Sequence, residues 1–155
     1  MNEGDTMPAI AMVLADRTRM ALSDLPLPAV IYFYPKDDTS GCTREAQDFS
    51  ALAEAFAAAG ASVTGISRDS AASHVRFSEK HGLSIRLGSD EDGAVTEAFG
   101  VWGEKTLYGR KYMGVERATF LFGVDGRAVR IWRKVRVAGH AEAVLEAVRA
   151  LQTAP

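Results

Sequence analysis

Cysteine is almost missing from this chain: Cys42 is the only one in 155 residues. A single thiol excludes an internal disulfide framework and any multi-cysteine zinc or iron–sulfur site. Long apolar runs are missing too, since no stretch approaches the ~20 residues of a membrane helix. A cationic excess is also lacking, because 18 Lys and Arg face 20 Asp and Glu for a net charge of −2. That balance removes both the basic footprint of a nucleic-acid binder and the polybasic attraction to a membrane surface. The first residues, Met1-Asn2-Glu3-Gly4-Asp5, carry no positive charge. The apolar run from Ala9 therefore reads as a strand and not as a secretory signal. Gly and Pro are at ordinary levels, and 47% hydrophobic with 25% charged residues is the mix of a packed globule. These features predict one soluble, cytoplasmic domain spanning residues 1–155.

The hydrophobic pattern alternates between strand and helix. Ala29-Val30-Ile31-Tyr32-Phe33-Tyr34 is a continuous apolar, β-rich run of the kind buried on both faces of a sheet, and Pro35 ends it. A helical period follows from about Gly41 to Ala59, closed by Gly60. Ala61 to Ser67 reads as a second buried strand. Asp69 or Ser70 can cap a helix that runs to His81 and stops at Gly82. Leu83 to Leu87 reads as a short strand and Ala94 to Phe99 as a short helix. Residues 101–116, rich in Gly and charge, read as a long loop. Two strands flank the hairpin signal Asp125-Gly126, and a last helix runs from about His140 to Leu151. The fold class is α/β: a central mixed sheet flanked by helices.

Ligand sites in such folds lie at the carboxyl ends of strands, and the step from Phe33 to Cys42 is such a place. Cys42, Ala46, Phe49, Ala53 and Phe56 form one stripe of the following helix, which points the sulfur inward. An inert buried cysteine would show the same stripe. Three features favour chemistry. Cys42 stands at a helix N-terminus, where unpaired amides and the dipole favour an anion. Thr39 places a hydroxyl one turn earlier, with Gly41 between. Pro35 is a rigid stop able to shield a pocket from water.

The segment Tyr32-Phe33-Tyr34-Pro35-Lys36-Asp37-Asp38-Thr39-Ser40-Gly41-Cys42-Thr43-Arg44-Glu45 closely resembles the active-site segment of peroxiredoxins of the Q, or bacterioferritin-comigratory, class. The resemblance continues through Gly65-Ile66-Ser67-Arg68-Asp69, Ser73-His74-Val75-Arg76-Phe77, Val101-Trp102-Gly103-Glu104-Lys105 and Gly114-Val115-Glu116-Arg117-Ala118-Thr119-Phe120. It implies a thioredoxin-like fold and a thiol peroxidase without metal or organic cofactor. It also implies site roles. Cys42 would be the peroxidatic cysteine, Thr39 would hydrogen-bond the peroxide, Pro35 would shield the thiolate, and Arg117 would hold thiolate and peroxide together. Read on its own, an arginine at a strand start such as Arg117 is usually a solvated end residue.

Two departures from the family stand out. Ser40 replaces a common proline, a local change. Gln47 occupies a place where many members carry a resolving cysteine, and no other thiol exists in the chain. An in-chain disulfide is therefore impossible, and an external thiol must recycle Cys42. The expected reductant is thioredoxin or a glutaredoxin/glutathione system, and the expected substrate is hydrogen peroxide or an alkyl hydroperoxide. The expected oligomeric state is a monomer or weak homodimer. Two other readings compete. One is a non-catalytic peroxide sensor or redox relay. The other is a Cys–His hydrolase, which needs a histidine base at Cys42 that no motif around His74, His81 or His140 supplies. The carboxylate runs Asp37-Asp38 and Asp90-Glu91-Asp92 read as surface turns.

Overall fold

In the computed structural model, which describes residues 1–153, β3 (Ala29–Phe33) runs through the middle of a seven-stranded sheet. It is parallel to β4 (Ser62–Ser67), which is parallel to β5 (Arg86–Ser89). On its other side lies β8 (Ala118–Phe122), antiparallel and followed by β9 (Ala128–Trp132). β1 (Ala11–Val13) and β2 (Arg19–Ala21) complete the opposite edge beyond β5. All five residues of β3 are buried, as a strand paired on both sides and covered on both faces requires.

Alternation along β3 divides the interior in two. Val30, Tyr32 and Tyr34 face a core with α1 (Ser40–Ala51), α2 (Ala53–Ala58), α5 (His140–Thr153) and Phe77 of α3 (Ala71–His81). Ala29, Ile31 and Phe33 face a second core with Phe99, Phe120, Phe122 and Val95 of α4 (Ala94–Ala98). Cys42 belongs to the first core, together with Ala46, Phe49 and Phe56 of the predicted stripe.

Local chemistry sets the element ends. The Ser70 side chain accepts the Ser73 amide and caps α3, and Gly82 ends it in the left-handed conformation at φ 59°. The predicted helix over 41–59 is two helices, broken at Leu52, whose ψ of 7° leaves the helical range. The predicted strand over 83–87 lies later, at Arg86–Ser89, where it pairs with β4. The predicted long loop over 101–116 is instead a hairpin of β6 (Trp102–Leu107) and β7 (Arg110–Val115), paired only with each other. Tyr108 and Gly109 turn it with φ of 51° and 76°, the positive pair of a tight two-residue hairpin.

Gly65 on β4 sets how closely the first core packs. A methyl group there would lie 2.6 Å from the Tyr32 ring, which is stacked on Phe49 at 4.6 Å between ring centres. Tyr32 is fully buried, so the ring cannot swing out to solvent. Gly65→Ala should cost about 1–3 kcal/mol of stability, the range for overpacking a filled core. Urea denaturation of parent and variant measures it, and equal midpoints would show that the ring relocates freely.

Candidate active site

β3 ends at Phe33, and the chain turns through half-buried Pro35 and an exposed Lys36 into α1. Thr39 is the helix N-cap, and the first helical hydrogen bond runs from the Thr43 amide to the Thr39 carbonyl at 2.8 Å. The amides of Ser40, Gly41 and Cys42 therefore lie in the turn that has no carbonyl behind it. The Thr39 side chain does not cap them. Its hydroxyl donates instead to the Lys36 carbonyl at 2.9 Å, which leaves the hydroxyl oxygen as an acceptor. Three amides and a helix dipole thus converge where Cys42 begins its side chain, an arrangement that favours negative charge.

Arg117 reaches the same place from β8. Phe33 pairs with Ala118, so the residue before Ala118 stands beside the end of β3. Its Nη2 donates to Cys42 Sγ at 3.3 Å. Gly41 permits this approach, since a Cβ there would come within 3.3 Å of Nη2. Cys42 itself is 1% exposed. The predicted pair of Cys42 and Arg117 is therefore in direct contact. Thr39 and Pro35 frame the same turn without a direct bond to the sulfur.

Glu45 is the site residue that sequence reasoning passed over. It lies one turn after Cys42 on the inward face, and its Oε1 takes Arg117 Nη1 at 2.6 Å. Burial pushes its carboxyl up to about 7, against the downward pull of the Arg117 cation. A carboxylate on an apolar helical stripe was the available signal, because such a group enters a core only with a partner. Arg117 is divided between two acidic groups. Burial opposes its charge, and Glu45 and Cys42 together outweigh burial and hold its pKa above the ordinary value. Lys105 at the base of the β6–β7 hairpin borders the site. Its pKa is lowered by burial and by Arg117.

The three histidines are committed elsewhere. His81 meets Asp38 at 2.8 Å, and His140 Nε2 lies 2.7 Å from the Thr119 hydroxyl. Burial and the Arg117 cation push His140 down to about 4, so it is neutral at pH 7. His74 bonds Asp37 and the Gly88 carbonyl. None of these bonds places an imidazole on Cys42 as a hydrolase would need. Two expected surface carboxylates are in fact buried. Asp37 is enclosed beneath α3, and Asp90 accepts the Val95 and Thr96 amides at the start of α4. Both replace water with several donors, which is the condition for burying a carboxylate.

Comparison with known proteins shows the family of the chain. The AhpC/TSA family profile matches residues 4–130. A peroxiredoxin Bcp of Xanthomonas campestris is 54% identical over 121 residues, covering 78% of this chain and 76% of that one. A structure of the Xanthomonas campestris bacterioferritin comigratory protein, solved in connection with its alkyl peroxide reduction activity, superposes with a TM-score of 0.87 at 46% identity. It covers 95% of this chain and 99% of the other. A Xylella fastidiosa PrxQ cysteine-to-serine mutant superposes at 0.92 with 42% identity over 98% of each chain. With its thioredoxin-like sheet, its cysteine at the first turn of α1 and these relatives, the chain belongs to the AhpC/TSA family, within its peroxiredoxins of the Bcp, or PrxQ, type.

Proposed function

We propose that this single-domain, cytoplasmic chain is a one-cysteine thiol peroxidase in which Cys42 is the nucleophile, Arg117 and Thr39 orient and polarise the peroxide, and Pro35 keeps water from the sulfur. The observation that carries this reading is the 3.3 Å contact between Arg117 Nη2 and Cys42 Sγ at a helix N-terminus. A guanidinium keeps its charge at any working pH and offers donors in a fixed fork. One edge of it favours the thiolate. As the O–O bond breaks, the same donors and the first-turn amides meet the charge that develops on oxygen, which is electrostatic preorganisation. The Thr39 oxygen, whose O–H donates to the Lys36 carbonyl, accepts from the peroxide O–H.

The Cys42 thiolate attacks the terminal oxygen of the hydroperoxide, an S–O bond forms, and the O–O bond breaks. The leaving alkoxide or hydroxide takes a proton and departs as alcohol or water. Cys42 is left as a sulfenic acid. An external thiol condenses with it, releasing water and forming a mixed disulfide. A second thiol releases Cys42. Thioredoxin or a glutaredoxin/glutathione system supplies these thiols, because no second cysteine exists here.

Two Cys-to-Ser mutants of Xanthomonas campestris peroxiredoxin Q carry their substitutions at the same interval that separates Cys42 from Ser78 in this chain. From that interval we infer that Ser78 on α3 is the counterpart of a cysteine of that protein, while Gln47 stands at the other expected place. Gln47 is exposed on α1, about 140° around the helix from Cys42. Gln47 can reach the sulfur only if the first turn of α1 unwinds. The reading of a sensor that reacts once is separated by turnover in the presence of a reductant.

Cys42→Ser should abolish peroxide consumption, and Arg117→Met should slow sulfenic acid formation by ~10²–10³. Steady-state assays with thioredoxin and glutaredoxin systems run in parallel test both, and turnover by the Ser variant would end the assignment. Peroxide alone should carry the parent through sulfenic to sulfinic and sulfonic acid, seen as added oxygens in intact mass. Ser78→Cys or Gln47→Cys should divert it to an in-chain disulfide, seen as a loss of two hydrogens. The raised Glu45 carboxyl has a third consequence. Its contribution to stability is complete below the ordinary value of 4.5 and is lost as pH rises through about 7. From pH 5 to pH 8 the parent should therefore lose stability relative to Glu45→Gln, and a constant difference in urea midpoints would show that Glu45 does not titrate in this range.

A further inference from the structure

Between Pro35 and the start of α1 the chain crosses over α3, and the two successive aspartates of that crossing differ sharply. Asp38 points outward, with Lys80 and His81 at 2.7 and 2.8 Å and its side chain 44% exposed. Asp37 is buried, 8% exposed. Its Oδ1 accepts the Tyr34 hydroxyl at 2.6 Å, and its Oδ2 accepts the Ser73 hydroxyl at 2.8 Å and His74 Nδ1 at 2.7 Å. Burial raises the Asp37 carboxyl, but the donors of His74, Tyr34 and Ser73 outweigh it and hold the group below its ordinary value. It is a carboxylate.

His74 is 2% exposed, and its second ring nitrogen lies 3.0 Å from the Gly88 carbonyl. A carboxylate oxygen and a carbonyl oxygen can only accept. Both ring nitrogens must then donate, which makes His74 a cation. Asp37 and His74 are a buried ion pair with its remaining valences filled.

The pair fixes the side chain of Asp37, and a separate bond fixes the peptide that enters this residue. The N–H of Asp37 donates to Asp69 Oδ2 at 2.9 Å, and Asp69 is itself fixed by the Ser67 hydroxyl. The carbonyl of the same peptide belongs to Lys36, and it is the acceptor that orients the Thr39 hydroxyl at 2.9 Å. A peptide group is planar, so fixing its N–H fixes its C=O. We propose that Asp37 and His74 are positioning residues for peroxide attack: a buried charged clamp that, with the Asp69 bond, locks the Lys36–Asp37 peptide and thereby aims the Thr39 hydroxyl across the start of α1. The clamp rests on the reading of Thr39 as a peroxide acceptor. It touches neither Cys42 nor Arg117 in any hydrogen bond, so it acts on the placing of the peroxide and not on the availability of the thiolate.

That separation defines the test. Two rate constants are measured on each reduced protein: sulfenic acid formation with hydrogen peroxide, and alkylation of Cys42 by iodoacetamide, which needs the thiolate but no peroxide-orienting group. Asp37→Asn and His74→Gln, with near-UV circular dichroism verifying their fold, should lose about tenfold or more in the peroxide rate, as expected for displaced orienting groups. Their alkylation rates should stay within about twofold of the parent. Asp38→Asn, which cuts the exposed contacts of the same segment, should match the parent in both, since exposed ion pairs carry little. Should the buried variants fail to fold, Ser73→Ala and Tyr34→Phe each remove one donor to the carboxylate and should still lower the peroxide rate selectively. Peroxide rates equal to the parent in the folded variants, or equal factors in both reactions, would overturn the clamp. Thr39→Val run beside them separates the causes. If it reacts at the parent rate, the reading of Thr39 fails; if it is slow while Asp37→Asn is not, only the clamp fails.

Discussion

One guanidinium faces two acidic side chains at the centre of this protein. Arg117 gives one nitrogen to the Cys42 sulfur and the other to the Glu45 carboxyl, and both partners are 1% exposed. Burying charge is costly unless it is paired and hydrogen-bonded, so each of the three groups needs the others. The rest of the fold supplies the frame for this pairing. β3 and β8 are locked in register by five pairs, which bring the residue before Ala118 to the end of β3. α1 starts there, and the glycine at 41 leaves room for the guanidinium. Glu45 and Cys42 share a helix face because they are three residues apart. Each piece is ordinary secondary structure, and the charge balance arises where three pieces meet.

That balance also shapes its surroundings. Burial and the Arg117 cation together lower the pKa of Lys105 and of His140, so both groups are weakened as bases. At the sulfur itself stands Arg117, a group of fixed geometry, with the first-turn amides of α1 beside it. A developing oxyanion meets donors already in place, which is the condition under which electrostatics lowers a barrier without reorganisation.

The most regular parts of the fold were legible in the sequence. β3 announced itself by an unbroken apolar run, α3 by Ser70 and Gly82, and the β8–β9 turn by Asp125-Gly126, whose glycine has φ of 76°. The inward direction of Cys42 followed from helical spacing. The β6–β7 hairpin did not show, because most of its side chains are exposed and alternation appears only where one face is buried. The break at Leu52 was hidden in an alanine-rich stretch that suits either one helix or two. Asp37 and Asp90 were misplaced for a common reason. A carboxylate is exposed by default, and the donors that bury it come from α3 in one case and from the backbone of the helix it caps in the other, neither of which its immediate neighbours reveal. Glu45 escaped in the same way, since its partner is far along the chain.

The position of Cys42 between β3 and the first turn of α1 divides the site by backbone protection. On one side, β3 is hydrogen-bonded along both edges in the middle of seven strands, the region where amide protons exchange slowly, near the limit set by global unfolding. On the other, the first turn of α1 has amides with no carbonyl behind them, and such ends fray at little cost. The sulfur is attached to the loose side and Arg117 to the firm one. When a partner thiol comes for the oxidised cysteine, the turn can open locally while the strands holding the guanidinium stay closed. The sulfur can then be exposed while β3 and β8 stay paired.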